Sequence, residues 1–197
     1  MDSFLTITRR SEGIYKEKGS KFLSFAIPVC NVEEVKAIVA AFRKEYYDAR
    51  HVCYAYVLGA EREELRANDD GEPSGTAGRP ILGQIHAAEL TDILVIVVRY
   101  FGGVLLGTGG LITAYKSAAA DAIANNEIEQ REVLIPIEIS FDYLQLNNVM
   151  SLLKETNVVA QEQEFDTVCH IKMAIPRAKY DFFMGKLSKI KEVKMNE

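Results

Sequence analysis

Residues 93–98 read "ILVIVV", six aliphatic side chains in a row. A strand with one wet face alternates apolar and polar residues. An unbroken apolar run is the mark of a strand covered on both faces. Arg99 ends the run, and a glycine-rich stretch follows, "RYFGGVLLGTGG" over 99–110. Beyond it lies the strongest helical stripe in the chain: Leu111, Ile112, Tyr115, Ala118, Ala119, Ala122 and Ile123, closed by Asn125 and Asn126.

The segments before this strand have equally local signatures. "FLTI" reads as a strand, and "GIYKEKGSKFLSFAIP" as a strand pair turning at Gly19-Ser20. Asn31 opens a helix, with Glu34 completing a capping box. Val32, Val35, Ile38, Val39, Phe42 and Tyr46 recur at helical spacing. "HVCYAYVL" is a strand that sets His51, Cys53, Ala55 and Val57 on one face and Val52, Tyr54, Tyr56 and Leu58 on the other. A first glycine-rich loop, "DDGEPSGTAGRP", covers 69–80. Pro80 suits the first turn of a helix, with Ile81, Leu82 and Ile85 on its buried side.

The pattern changes near Arg131. "VLIPIEISF" alternates with Val133, Ile135, Ile137, Ile139 and Phe141 on one face. Asp142 caps a helix running to about Thr156. Two strands follow around Asp166-Thr167, then a helix marked by Tyr180, Phe183, Leu187 and Ile190, then a closing strand at Val193 and Met195. The order β-α-β-β-α-β is that of a ferredoxin-like domain. The chain therefore divides into domains 1–130 and 131–197, with no low-complexity linker and no long-range repeat.

Bulk properties exclude several function classes. No apolar run approaches the ~18 residues of a membrane span. The start, "MDSFLTITRR", lacks a charged leader followed by an apolar stretch, and three scattered cysteines suit a reducing compartment. Both point to the cytoplasm. A net charge of −5 argues against coating nucleic acid by charge alone. Lysines and arginines nonetheless gather after His170, at Lys172, Arg177, Lys179, Lys186, Lys189, Lys191 and Lys194. That stretch reads either as a solvated face or as a contact for phosphates.

A strand, a glycine-rich turn and a helix start present backbone N–H donors at the positive end of a helix dipole. Glycine reaches positive φ and holds no Cβ against a ligand. Gly102, Gly103, Gly107, Gly109 and Gly110 fit this logic in one loop, and Gly71, Gly75 and Gly78 in the other. Arg99 and Tyr100 at the strand end, Thr76 and Arg79 beside the first loop, and Lys116 in the helix complete an expected anion site. Such loops also serve as plain turns. Neither is a P-loop or a dinucleotide fingerprint. Asp69, Asp70 and Glu72 read as Mg²⁺ ligands or as turn residues, so no cofactor motif is present while Mg²⁺ stays open. His51 and Cys53 share a strand face as a metal or nucleophile–base pair, without the further ligands that zinc needs.

The segments "GSKFLSFAIP", "DARHVCYAYVLG", "DDGEPSGTAGRPIL" and "VVRYFGGVLLGTGGLITAYKSAA" closely resemble the YigZ/IMPACT family from Gly19 to about Asp121. The resemblance implies an α+β protein. Its first domain is a ribosomal-protein-like two-layer α/β domain with helices on one face of a sheet. Its second is a ferredoxin-like domain similar to the last domain of elongation factor G. Thr113 stands where the family usually carries an arginine, with Lys116 one turn on. Eukaryotic relatives regulate translation through an extra N-terminal domain. This chain begins directly at the family domain, so that mechanism is not expected of it.

Three readings follow. The first is a non-enzymatic cytoplasmic protein that binds RNA or the ribosome and modulates translation. The second is a binding protein or enzyme for a small phosphorylated ligand, with Asp70 or Glu72 holding Mg²⁺ or acting as base and His51 orienting. The third is a protein-interaction adaptor, for which the sequence shows no peptide-groove signature.

Overall fold

The computed structural model describes residues 2–196. It divides into two compact units, one over Ser3–Arg131 and one from Glu132 onward. The architecture is mixed α+β.

In the first unit the elements run β1 (Ser3–Ile7), β2 (Ser11–Glu17), β3 (Ser20–Pro28), α1 (Val32–Glu45), β4 (His51–Leu58), β5 (Glu64–Asn68), α2 (Gly78–Ala87), β6 (Ile93–Tyr100), α3 (Gly107–Ala124) and β7 (Ile128–Glu132). Five strands form a sheet in the order β2-β3-β6-β4-β5, antiparallel throughout. β1 pairs with β7 in a separate two-stranded sheet.

β6 sits in the middle of the five-stranded sheet, and its aliphatic run is fully buried. Ile93, Val95 and Val97 pack with Ile81 and Ile85 of α2 and with Ala114, Tyr115 and Ala118 of α3. Leu94, Ile96 and Val98 face the other way, onto Val35, Val39 and Phe42 of α1. Helices thus cover both faces, as the unbroken apolar run requires. The family resemblance implied two layers with helices on one face; α1 supplies a third layer on the other.

Local details depart from expectation in four places. The β2–β3 turn is Lys18-Gly19, with φ of 45° and 79° at these two residues. Ser20 already belongs to β3. A two-residue hairpin of this hand needs positive φ at both central positions, which glycine accepts without cost. The edge strand β5 lacks a hydrophobic signature, because only one of its sides is paired and its residues are half-buried or exposed. β7 is equally polar. Ile112 is 42% exposed, at the edge of the α3 stripe.

The α1 cap forms as its sequence predicts. Asn31 Oδ1 accepts from the amide of Glu34 at 2.8 Å, and the Glu34 carboxylate reaches back to the amide of Cys30.

The second unit contains β8 (Leu134–Asp142), a 3-10 turn (Tyr143–Gln145), α4 (Leu146–Thr156), β9 (Ala160–Glu164), β10 (Val168–Pro176), α5 (Arg177–Leu187) and β11 (Val193–Asn196). The strand order β11-β8-β10-β9 is the ferredoxin-like one. Ile137, Ile139 and Phe141 share a core with Ile171, Met173, Val149, Leu153 and Phe183. Asp142 caps the 3-10 turn by accepting from the amide of Leu144, and α4 begins after that turn. The basic stretch is partly matched within the unit. Lys172 pairs with Glu162 at 2.8 Å, Lys186 pairs with Glu155, and Lys179 reaches the carbonyl of Thr156. Among the described residues no helix is long and apolar enough to cross a membrane.

Candidate functional site

Antiparallel register sets Phe22, Arg99 and His51 side by side across β3, β6 and β4. All three project to the side that carries α2 and α3. There His51 and Arg99 meet the two glycine-rich loops at a cavity of about 480 Å³, with Phe22 in the core beneath Arg99. The strand ends contribute His51 and Arg99, and the β3–β6 edge of the loop contributes Phe101. The first loop supplies Glu72 and Pro73. Leu105, Leu106, Gly107, Thr108 and Leu111 bring the second loop and the start of α3, and Arg50 stands at the margin. A volume in the range of ~300–1,000 Å³ is that of a small-molecule site.

A buried polar cluster forms its floor. Glu72 is 8% exposed and Arg99 5%. Oε1 of Glu72 lies 2.5 Å from Nη1 of Arg99 and accepts from the Tyr115 hydroxyl at 2.8 Å. Nε2 of His51 is 3.8 Å from the same oxygen. Nδ1 of His51 lies 2.7 Å from the carbonyl oxygen of Asp70, an acceptor only, so Nδ1 carries the proton of the neutral ring. Burial pushes the Tyr115 phenol upward, and Cys53 and Glu72 add to that shift, so the hydroxyl stays protonated and donates. The Arg99 guanidinium also lies over the rings of Phe22 and Phe101. Its buried Nε has no hydrogen-bond partner among the described residues.

The two loops behave differently. In the first, the Asp69 carboxylate accepts from the amides of Gly75 at 2.8 Å, Ala77 at 3.1 Å and Gly78 at 2.8 Å. Burial raises the Asp69 pKa, but the three amides outweigh it and hold the group below its ordinary value. The anion that this loop cradles is its own carboxylate. Gly78 serves packing, since a Cβ there would lie 2.6 Å from the Asn68 nitrogen.

The second loop is the open one. An added Cβ at Gly103, Gly107 or Gly109 would meet nothing within 4 Å. No side chain caps α3, and its first turn holds no acid. The positive end of an 18-residue helix therefore faces the cavity without an internal counter-charge. Gly102 has another role. Its Cβ would sit 1.9 Å from the carbonyl carbon of Gly19, so the β2–β3 turn packs on its bare backbone.

Several expected site residues lie elsewhere. The expectation of Arg99 as an open phosphate clamp meets a guanidinium already paired with Glu72. Tyr100 falls on the opposite sheet face by strand alternation and donates to Asp48. Gly75 and Thr76 are tied into the first loop, the latter by a hydroxyl bond to the Pro73 carbonyl. Arg79 lies beside Gly75 and near Asp69. Lys116 is exposed on α3 and does not line the cavity, and Gly110 backs onto Leu106. Asp70 pairs with Arg43 at 2.7 Å and accepts from the Val52 amide, which turns it from Glu72. Among the described residues no three His, Cys, Asp or Glu side chains gather as a metal site. Cys53 is fully buried, and desolvation raises its thiol pKa, so it is no thiolate nucleophile for His51.

Comparison with known proteins follows the same segments. Residues 18–123 match the model of the Impact N-terminal domain, which takes in both loops and α3. The chain belongs to the IMPACT family. It is 34% identical over 190 residues to IMPACT family member YigZ of Escherichia coli, covering 95% of this chain and 93% of that one. Protein IMPACT of Rattus norvegicus matches over 96 residues at 30% identity, which is 46% of this chain and 30% of the rat protein. A crystal structure of a hypothetical protein superposes with a TM-score of 0.77 at 33% identity, covering 99% of this chain and 97% of that one. The IMPACT-type domain thus contains the whole cavity.

Arg50, Phe101, Leu105 and Thr108 were not singled out by sequence reasoning. The usable signal was strand register: once β4 and β6 are neighbours, the segments just outside them must meet at the same end.

Proposed function

We propose that this protein is a cytoplasmic, non-enzymatic regulator that binds RNA or the ribosome and modulates translation. The cavity is its phosphate contact. The observation that carries this reading is the uncapped start of α3 beside Arg50 and Phe101. Backbone amides at a helix start take phosphate oxygens, and an exposed aromatic ring takes a base face. Phe101 is 48% exposed. Membership of the IMPACT family supports the link to translation.

Filter binding of labelled RNA across a salt series, with ribosome co-sedimentation, tests the reading. Retention that falls with salt supports it. No retention at low salt in either assay overturns it. The half-open hollow of about 480 Å³ favours one second reading, a small phosphorylated ligand held at the same amides. A nucleotide panel with Mg²⁺ in a thermal-shift assay separates the two, since a ligand selective for the folded state raises Tm.

A further inference from the structure

On the opposite face of the same sheet, α1 does not cover β4 and β5 completely. A groove of about 430 Å³ remains between the helix and these strands. Strand alternation puts Tyr54 and Tyr56 in it, away from His51. Val35 and Val39 of α1 complete an apolar floor. The rim is cationic. Lys36, Arg43 and Lys44 line the helix side, and Arg66 lines the strand side opposite Tyr56 in register. Arg43 is matched by Asp70. Lys36, Lys44 and Arg66 are exposed and have no ion pair or hydrogen bond among the described residues. Glu64, on the same face of β5 as Arg66, makes no ion pair with it. Four cations at one groove stand out in a chain of net charge −5.

We propose that this groove docks an extended acidic segment of a protein partner, with carboxylates on the rim and apolar side chains on the floor. Three features favour a peptide. β5 is an edge strand that pairs only with β4, so its outer backbone groups are open to an extended chain. Lys36 and Lys44 are about 12 Å apart along the helix axis, at 1.5 Å per residue. Four residues of extended chain rise about 13 Å and return a side chain to the same face. The floor offers an RNA base a single half-buried ring, Tyr54, because Tyr56 is 6% exposed and belongs to the core.

The test is selection of a random 12-residue peptide library on the intact protein, followed by affinity measurement of the winners. Acidic residues interleaved with apolar ones are expected among them. Binding drops at least tenfold in the Lys36→Gln/Lys44→Gln/Arg66→Gln variant, whose substituted positions are exposed. It also drops in Ala40→Trp, which fills the groove without changing charge. Gly109→Ala, in the first turn of α3 on the other face of the sheet, leaves peptide binding unchanged. Winners without acidic enrichment, or winners that the triple variant retains, overturn the proposal. So does a triple variant that keeps the peptides and loses poly-uridine RNA, which assigns the groove to RNA instead.

Discussion

Oε1 of Glu72 lies 2.5 Å from Nη1 of Arg99, so a carboxylate from the first loop neutralises the cation at the end of the central strand. Both groups are buried at the cavity floor. The pair fixes the first loop to the sheet and leaves the start of α3 and Arg50 unmatched among the described residues.

Removing the acid strands a buried guanidinium. Glu72→Ala is expected to lower the unfolding free energy by about 3–5 kcal/mol, as for other buried pairs broken from one side. Glu72→Gln/Arg99→Met, which removes both charges, recovers at least half of that loss. Urea denaturation of the three proteins checks it. A single variant as stable as the wild type would show that the pair carries no such weight.

Two glycines of the second loop respond in opposite directions. Gly102→Ala drives a Cβ into the backbone at Gly19 and costs about 1–3 kcal/mol, the range for overpacking. Gly109→Ala meets open space inside a helix and gains about 0.5–1 kcal/mol. The same methyl is added in the first turn of α3, where the proposed phosphate contact lies, so RNA retention is expected to fall while Tm rises. Paired thermal melts and filter binding read both effects. Unchanged retention in Gly109→Ala would remove α3 from the contact.

Asp69 sets an acid limit. Its pKa is lower in the folded state than in the unfolded chain, so its stabilisation is present above the ordinary carboxylate range. It is lost as pH falls through the depressed folded value. Asp69→Asn is expected to cost about 1–3 kcal/mol at pH 7, the range for hydrogen bonds to a charged group. It also flattens the decline of unfolding free energy as pH falls through and below the ordinary carboxylate range, read from denaturation at stepped pH. A variant curve parallel to that of the wild type would contradict this.

The thiols divide by access. Cys30 is exposed, whereas Cys53 and Cys169 are buried. Desolvation keeps Cys53 protonated. A colorimetric thiol reagent is expected to titrate one group quickly in the native protein and all three in denaturant. A second fast thiol would mean that the segment over Cys53 or the one over Cys169 opens readily.

Much of the architecture was legible in local patterns. Alternation in "HVCYAYVL" separates the two faces of β4 as observed, and the Asn31–Glu34 pair starts α1. β5 and β7 were not legible, because a polar strand at an edge is held by backbone pairing and leaves little mark in side-chain periodicity. The candidate site was legible as two glycine-rich loops with Arg99, His51 and Glu72 beside them, but not as the pairing among those residues. The difference between the loops depends on Asp69, whose carboxylate reads from sequence as one of three similar acids.

The sequence alone determined the helices and most strands, the faces they bury and the double covering of β6, because periodicity reports burial over neighbouring residues. Tertiary structure decided which groups remain open. Glu72 and Arg99 are 27 positions apart, and only the folding of the first loop over β6 makes them a pair. Whether an amide or a charge is spent inside the protein depends on partners brought together from distant positions, and no local pattern encodes that distance.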